Sequence, residues 1–181
     1  PELSKKFEVR AYPTFLILRP DGTVQHKIVG GGELDKFIAK VEKGLNEKTS
    51  LDYLNKVYEK GKMNKKQLIT YTVVLNEAYE KDKSEKVGKE LDAVLKEKDK
   101  MKKEYWPILE RSSYGSDNFK LVLNNIGTFN KNIGKEKVDK YLTSCYTNAI
   151  NNTLRPNTKE PLKVLQQIQE ELTKLDLADQ A

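Results

Sequence analysis

The side chains that most often carry out chemistry are scarce in this chain. Its 181 residues include one cysteine, Cys145, and one histidine, His26. Metal sites and nucleophilic triads need several such groups close together, and a single cysteine cannot form an internal disulfide. Cys145 lies one helical step after Leu142, which predicts a small buried hydrophobic residue. We therefore predict no catalytic residue, no metal site and no cofactor, and His26 is interpreted as an ordinary strand residue.

One short stretch could instead shape a binding groove. Tyr12, Pro13 and Thr14 stand directly before the unbroken apolar run Phe15–Leu18. Pro13 has no backbone N–H, so it cannot donate a hydrogen bond at the entrance to that run. The plain structural alternative is a trans proline that opens a strand, where a missing N–H costs nothing.

Charge and hydropathy limit the classes of partner. The net charge of +6 comes from lysines that alternate with acids, as in KELDAVLKEKDKMKKE. This pattern is typical of solvated helix faces, whereas a nucleic-acid surface needs a basic stripe with few acids. No apolar run approaches the roughly 20 residues of a membrane span. The sequence predicts neither a nucleic-acid partner nor a membrane span, and because PELSKKF has no initiator Met, we expect the true N-terminus to lie upstream.

The elements around Pro13 are a β-hairpin and a helix. The run Phe15–Leu18 predicts a strand covered on both faces, RPDG predicts a turn, and TVQHKIV alternates like a half-exposed strand. A helix with one buried face is predicted by Leu34, Phe37, Ile38, Val41 and Leu45. A strand buried on both faces needs another neighbouring strand. Its open edge could otherwise pair with a second copy of the chain.

The segment KKFEVRAYPTFLILRPDGTVQHKIVGGGELDKFIAKVEKGL resembles the C-terminal half of a thioredoxin-like domain. That family has an apolar residue and a Val before a Pro-Thr pair, a buried strand, a turn ending in Gly, an antiparallel strand and a closing helix. The resemblance covers about a quarter of the chain. Positions that match the family pattern are Phe7, Val9, Pro13, Thr14, Gly22 and Gly30.

The resemblance implies that Pro13 is the family's cis-proline and that Tyr12, Pro13 and Thr14 bind substrate. The Tyr12 backbone would pair with a substrate strand. The reactive Cys-x-x-Cys, which the family places about forty residues before this proline, is absent from the chain. The chain as given is therefore expected to be redox-inert, with the cysteines upstream of Pro1.

The remainder of the chain shows helical periodicity. Ser50 and Asn64 are predicted helix N-caps, Ser84 starts a third helix, and Asp117 caps a fourth. Gly134 precedes another helix, and Pro161 begins the last. Helices of this length with short joints are loosely similar to tetratricopeptide-type repeats.

The predicted fold class is an α+β fragment, a β-hairpin plus helix of a thioredoxin-like fold, followed by a mainly α helical-hairpin domain, and mostly α overall. The domains are residues 1–46, the C-terminal half of the thioredoxin-like domain, and residues 47–181, the all-helical domain.

Two functional hypotheses follow. In the first, the chain is a fragment of a bacterial thiol–disulfide oxidoreductase or isomerase that acts on protein disulfides in the periplasm or cell envelope. In the second, it is a non-catalytic scaffold with a degenerate thioredoxin fold, whose helical domain binds another protein. A cytoplasmic location is the alternative to the envelope. Whether the parent protein is an enzyme depends on the upstream Cys-x-x-Cys.

Overall fold

The computed structural model describes residues 2–156 and 160–175, and most of them are helical. Two compact units make up the chain, Pro1–Lys96 and Glu97–Ala181. The first contains a two-stranded antiparallel sheet, and the described part of the second contains helices and turns. The expectation of a mostly α fold is therefore confirmed.

The first unit begins with a short helix and the predicted β-hairpin. The elements are α1 (Glu2–Lys6), β1 (Thr14–Leu18), β2 (Val24–Val29) and α2 (Leu34–Leu45). The hairpin turn follows from its residues, because the Asp21 carboxylate accepts the Thr23 N–H and Gly22 adopts a φ of +82°. Phe15 lies opposite Ile28, and Ile17 lies opposite His26.

Burial in the hairpin differs from the expectation. Phe15 and Leu18 of β1 are 42% and 45% exposed, so β1 is not covered on both faces. Along α2, Leu34 and Leu45 are also exposed, at 71% and 61%. The physical reason is that β2 is the only strand paired with β1 among the described residues.

A 3-10 turn at Glu47–Thr49 and three further α-helices complete the described part of the first unit. The α-helices are α3 (Leu51–Glu59), α4 (Lys65–Glu77) and α5 (Lys81–Val94). Ser50 caps α3 and Asn64 caps α4, as predicted. The structure adds a capping box between Asn64 and Gln67. Ser84 is not a cap, since α5 starts at Lys81 and the Ser84 hydroxyl donates to Asn76 Oδ1 at 2.8 Å. The core between these helices contains Leu54, Tyr71, Val74, Leu75, Ala78, Val87 and Leu91.

Polar contacts tie the hairpin and α2 to α3 and α4. Arg19 contacts Asp52 at 2.7 Å, and Lys43 contacts the buried carboxylate of Glu77 at 2.9 Å. The Leu51 N–H at the start of α3 donates to His26 Nδ1. These ties explain why the compact unit continues to Lys96 instead of ending at the predicted boundary between residues 46 and 47.

The second unit contains the remaining helices. They are α6 (Glu97–Lys100), α7 (Trp106–Leu109), α8 (Asp117–Asn124), α9 (Ile126–Ile133), α10 (Lys135–Thr153) and α11 (Pro161–Leu175). The N-cap of α8 is Ser116, one residue before the predicted Asp117. The sequence analysis does not predict α9. The buried core of the second unit is rich in aromatic rings, namely Tyr105, Trp106, Phe119, Phe129, Tyr141 and Tyr146.

The close approach of α2 to the sheet requires a glycine at position 44. A Cβ at Gly44 would lie 2.5 Å from His26 Cδ2 and 2.6 Å from Ile17 Cδ1. We expect Gly44→Ala to lower the free energy of unfolding by about 1–3 kcal/mol, because overpacking outweighs the better helix propensity of alanine. Urea unfolding monitored by circular dichroism measures the change.

The matched control is Gly88→Ala in α5, where a Cβ meets no atom within 4 Å. There the propensity gain of up to about 1 kcal/mol should appear as stabilisation. Equal effects at the two positions would contradict the packing explanation.

Candidate functional site

The three predicted site residues form one loop at the entrance to β1. The Tyr12–Pro13 peptide bond is cis. The Pro13 carbonyl accepts the Gly30 N–H at 2.9 Å, and the Thr14 hydroxyl donates to the Ala11 carbonyl at 2.6 Å. The loop is thus held by the end of β2 on one side and by its own Thr14 on the other.

Tyr12 and Pro13 are the exposed residues of this loop. Tyr12 is 79% exposed. Within residues 2–156 and 160–175, its backbone N–H and C=O make no hydrogen bond. Exposed main-chain groups of this kind can pair with an extended peptide.

The open edge of β1 continues from Tyr12. In an antiparallel pair, residues alternate between exchanging hydrogen bonds with the partner strand and pointing their N–H and C=O groups away from it. The Gly30-to-Pro13 bond fixes the phase, so Phe15 and Ile17 bond to β2. Thr14 and Leu16 therefore direct their backbone groups to the open edge, in line with those of Tyr12.

An apolar surface adjoins this edge. Phe15 contacts Phe37 edge to face, with ring centroids 4.7 Å apart. Leu34 and Ile38, on the same helix as Phe37, are exposed. We call Phe15, Leu34, Phe37 and Ile38 the open apolar surface. Apolar groups left in water at the edge of a sheet are typical of a surface that another element covers.

The loop itself contains no cysteine, and the one cysteine of the sequence lies elsewhere in the chain. Cys145 belongs to the second unit, where it is free, buried, and donates to the Ser112 carbonyl at 3.5 Å. Burial raises the pKa of the Cys145 thiol above its ordinary value. A buried, protonated thiol is a poor attacking group, which agrees with its interpretation as a small hydrophobic residue.

His26 has a role that the sequence analysis missed. It is fully buried on the inner face of β2, and its Nδ1 accepts the Leu51 N–H at 3.0 Å. Burial lowers its pKa from 6.5 to about 4; Glu77 acts in the opposite direction, and Lys43 lowers it further. A signal was present, because His26 shares the period-two face of Ile28 and so faces the core.

Among the residues that the structure describes, no group of three or more His, Cys, Asp or Glu side chains is placed to hold a metal ion. No helix in the same residues is both long and apolar enough to cross a bilayer. Comparison with known proteins gives no matching family model, no matching curated protein and no matching solved structure.

The Thr14 hydroxyl provides a test of how the loop is held. We expect Thr14→Val to reduce the free energy of unfolding by about 1 kcal/mol, since the Ala11 carbonyl loses its donor. Thr14→Ser should restore most of the loss. Chemical denaturation of the three proteins supplies the comparison.

Thr23→Val is the control, because the Thr23 hydroxyl bonds only exposed groups in the hairpin turn. Its effect should stay within about 0.5 kcal/mol. A Thr14 variant as stable as the unaltered protein would show that the hydroxyl does not hold the loop.

Proposed function

We propose that this chain carries the substrate-binding half of a thioredoxin-like thiol–disulfide oxidoreductase or isomerase. Its observed support is the unpaired backbone of Tyr12 at the end of an open strand edge, beside the open apolar surface. From Tyr12 to Leu45, the loop, hairpin and helix follow one another in the order expected for the C-terminal half of a thioredoxin-like domain. In this proposal, the first half of the domain precedes Pro1 and covers the edge of β1.

The proposed covering explains the exposure of apolar groups around β1. A hairpin with one neighbouring helix leaves Phe15 and Ile38 in water. A strand added to the edge would pair with Thr14 and Leu16, and the element that follows it would bury these side chains. Complete burial of a fully exposed large apolar side chain is worth about 1.5–3 kcal/mol, and these half-exposed side chains would contribute part of that each, which favours association of the two halves.

The reaction in this proposal is thiol–disulfide exchange. A thiolate of the upstream Cys-x-x-Cys attacks one sulfur of a substrate disulfide, the substrate S–S bond breaks, and the other substrate sulfur leaves as a thiolate. The second cysteine then attacks the mixed disulfide, so the cysteine pair is oxidised and the substrate reduced. Tyr12 would hold the substrate chain through its backbone while Pro13 and Thr14 shape the groove. In this proposal the parent protein acts in the periplasm or cell envelope, the oxidising compartment in which protein disulfides form and persist.

A second candidate function is a protein-interaction scaffold without redox activity. The observation that favours it is the lack of a reactive thiol in the described residues, combined with an uncovered apolar surface. Here another polypeptide would cover β1, and no thiol chemistry would follow.

The coding sequence ahead of Pro1 separates the two functions. Its translation should contain a Cys-x-x-Cys roughly thirty residues before Pro1. The extended protein should then reduce insulin disulfides in the presence of dithiothreitol above the uncatalysed rate, and substitution of both cysteines by serine should abolish the excess. A reading frame without the two cysteines, or an extended protein without activity, would rule out the oxidoreductase and leave the scaffold.

Amide hydrogen exchange tests the open edge directly. In the present chain, the amides of Thr14 and Leu16 should exchange faster than those of Phe15 and Ile17, which are bonded to β2. In the extended protein, the Thr14 and Leu16 amides should become protected while the other two change little. Phe15 and Ile17 thus act as internal controls. If Thr14 and Leu16 exchange equally fast in both proteins, the upstream segment does not pair with β1.

A further inference from the structure

His26 joins the hairpin to the start of α3 through a single hydrogen bond. Its Nδ1 accepts the backbone N–H of Leu51, the first residue of α3. The first N–H groups of a helix have no partner within the helix, so the ring supplies the one that Leu51 lacks. An imidazole that accepts at Nδ1 must be neutral, with its proton on Nε2.

The ring is enclosed. Its side chain is fully buried, and α2 lies so close that Gly44 has no room for a Cβ against it. Nε2 is buried without a hydrogen-bond partner among the described residues. A second proton on this ring would therefore place a charge in a closed, largely apolar space.

Charged groups face the ring from two of the packed helices. They are Glu77 of α4 and Lys43 of α2, which pair with each other at 2.9 Å. The carboxylate of Glu77 favours a protonated ring and the ammonium of Lys43 disfavours it, so their effects oppose each other. Burial is the largest influence, and it favours the neutral ring.

We propose that His26 is an acid-sensitive latch between the hairpin and α3. Protonation turns Nδ1 from an acceptor into a donor that faces the Leu51 N–H, so the hydrogen bond is replaced by a repulsive contact. The first turn of α3 then separates from β2, and the buried side chains of Leu51 and Leu54 become exposed. The ion pair between Arg19 and Asp52 lies in the same turn of α3 and breaks with it, so the opening is confined to the contact between this turn and the hairpin.

The direction of the pH effect follows from the neutral folded form. The contribution of His26 to the closed state is fully present above pH 6.5 and is lost as the pH falls towards about 4. Over this range, the equilibrium constant for opening should rise about tenfold per pH unit, because opening takes up one proton. His26 is the only histidine in the chain, so no other imidazole titrates there.

Hydrogen exchange between pH 6.5 and 4.5 tests the latch. After correction for intrinsic rates, protection of the Leu51 and Leu54 amides should fall about tenfold per pH unit. Protection of the Leu142 and Tyr146 amides, in the buried part of α10 in the second unit, should stay constant, because their exposure does not require release of His26. In His26→Asn, whose side-chain oxygen can accept at the Nδ1 position without titrating, the Leu51 amide should lose its pH dependence.

Two results would overturn the proposal. One is protection of Leu51 that does not change with pH in the unaltered protein, or that changes equally in His26→Asn. The other needs no variant: nitrogen chemical shifts of the His26 ring at pH 7 should report a proton on Nε2 and none on Nδ1. A proton on Nδ1, or a midpoint at the ordinary 6.5, is incompatible with the latch.

Discussion

A sheet of two strands by itself leaves both faces and both outer edges in water, and this constraint governs the first compact unit. An isolated hairpin is marginally stable in water at best. Here the inner face, with Ile28 and His26 at 0% exposure, is covered by helices from two directions. Gly44 lets α2 approach the ring of His26, and the same ring bonds to the start of α3. The hairpin is therefore stable only as part of a unit that extends well beyond α2.

This dependence also explains which parts of the fold were predictable from the sequence. Local chemistry identified the caps at Ser50 and Asn64 and the turn around Gly22, because each depends on residues within one turn of chain. The start of α5 was missed because it depends on the sharp end of α4, where Tyr79 adopts a φ of +61°. The predicted boundary near residue 46 differs from the compact unit because the ties across it, such as Lys43 to Glu77, are polar and distant in sequence.

The candidate site also has some features that the sequence predicts and others that it does not. The place of Tyr12 and Pro13 before a strand, and of Thr14 at its start, could be read from their order along the chain. Which residues of β1 point their backbone N–H and C=O groups away from β2 depends on the hydrogen bond from Gly30 to Pro13. That Thr14 and Leu16 do so cannot be read from apolar spacing. The interpretation of His26 as an ordinary strand residue was incomplete because its partner, the Leu51 N–H, lies on a separate helix.

The composition of β1 favours pairing of its open edge with another strand. Sheets that keep an edge in water usually protect it with charged residues, a bulge or a proline within the strand. From Ala11 to Leu18 the sequence AYPTFLIL has no charged residue, and its proline precedes the strand. The register irregularity lies only at the far end, between Ile17 and Leu18. An uncharged edge beside exposed Phe15 and Ile38 is poorly protected against pairing, and a covering strand would remove both the unpaired backbone groups and the exposed apolar surface in one step.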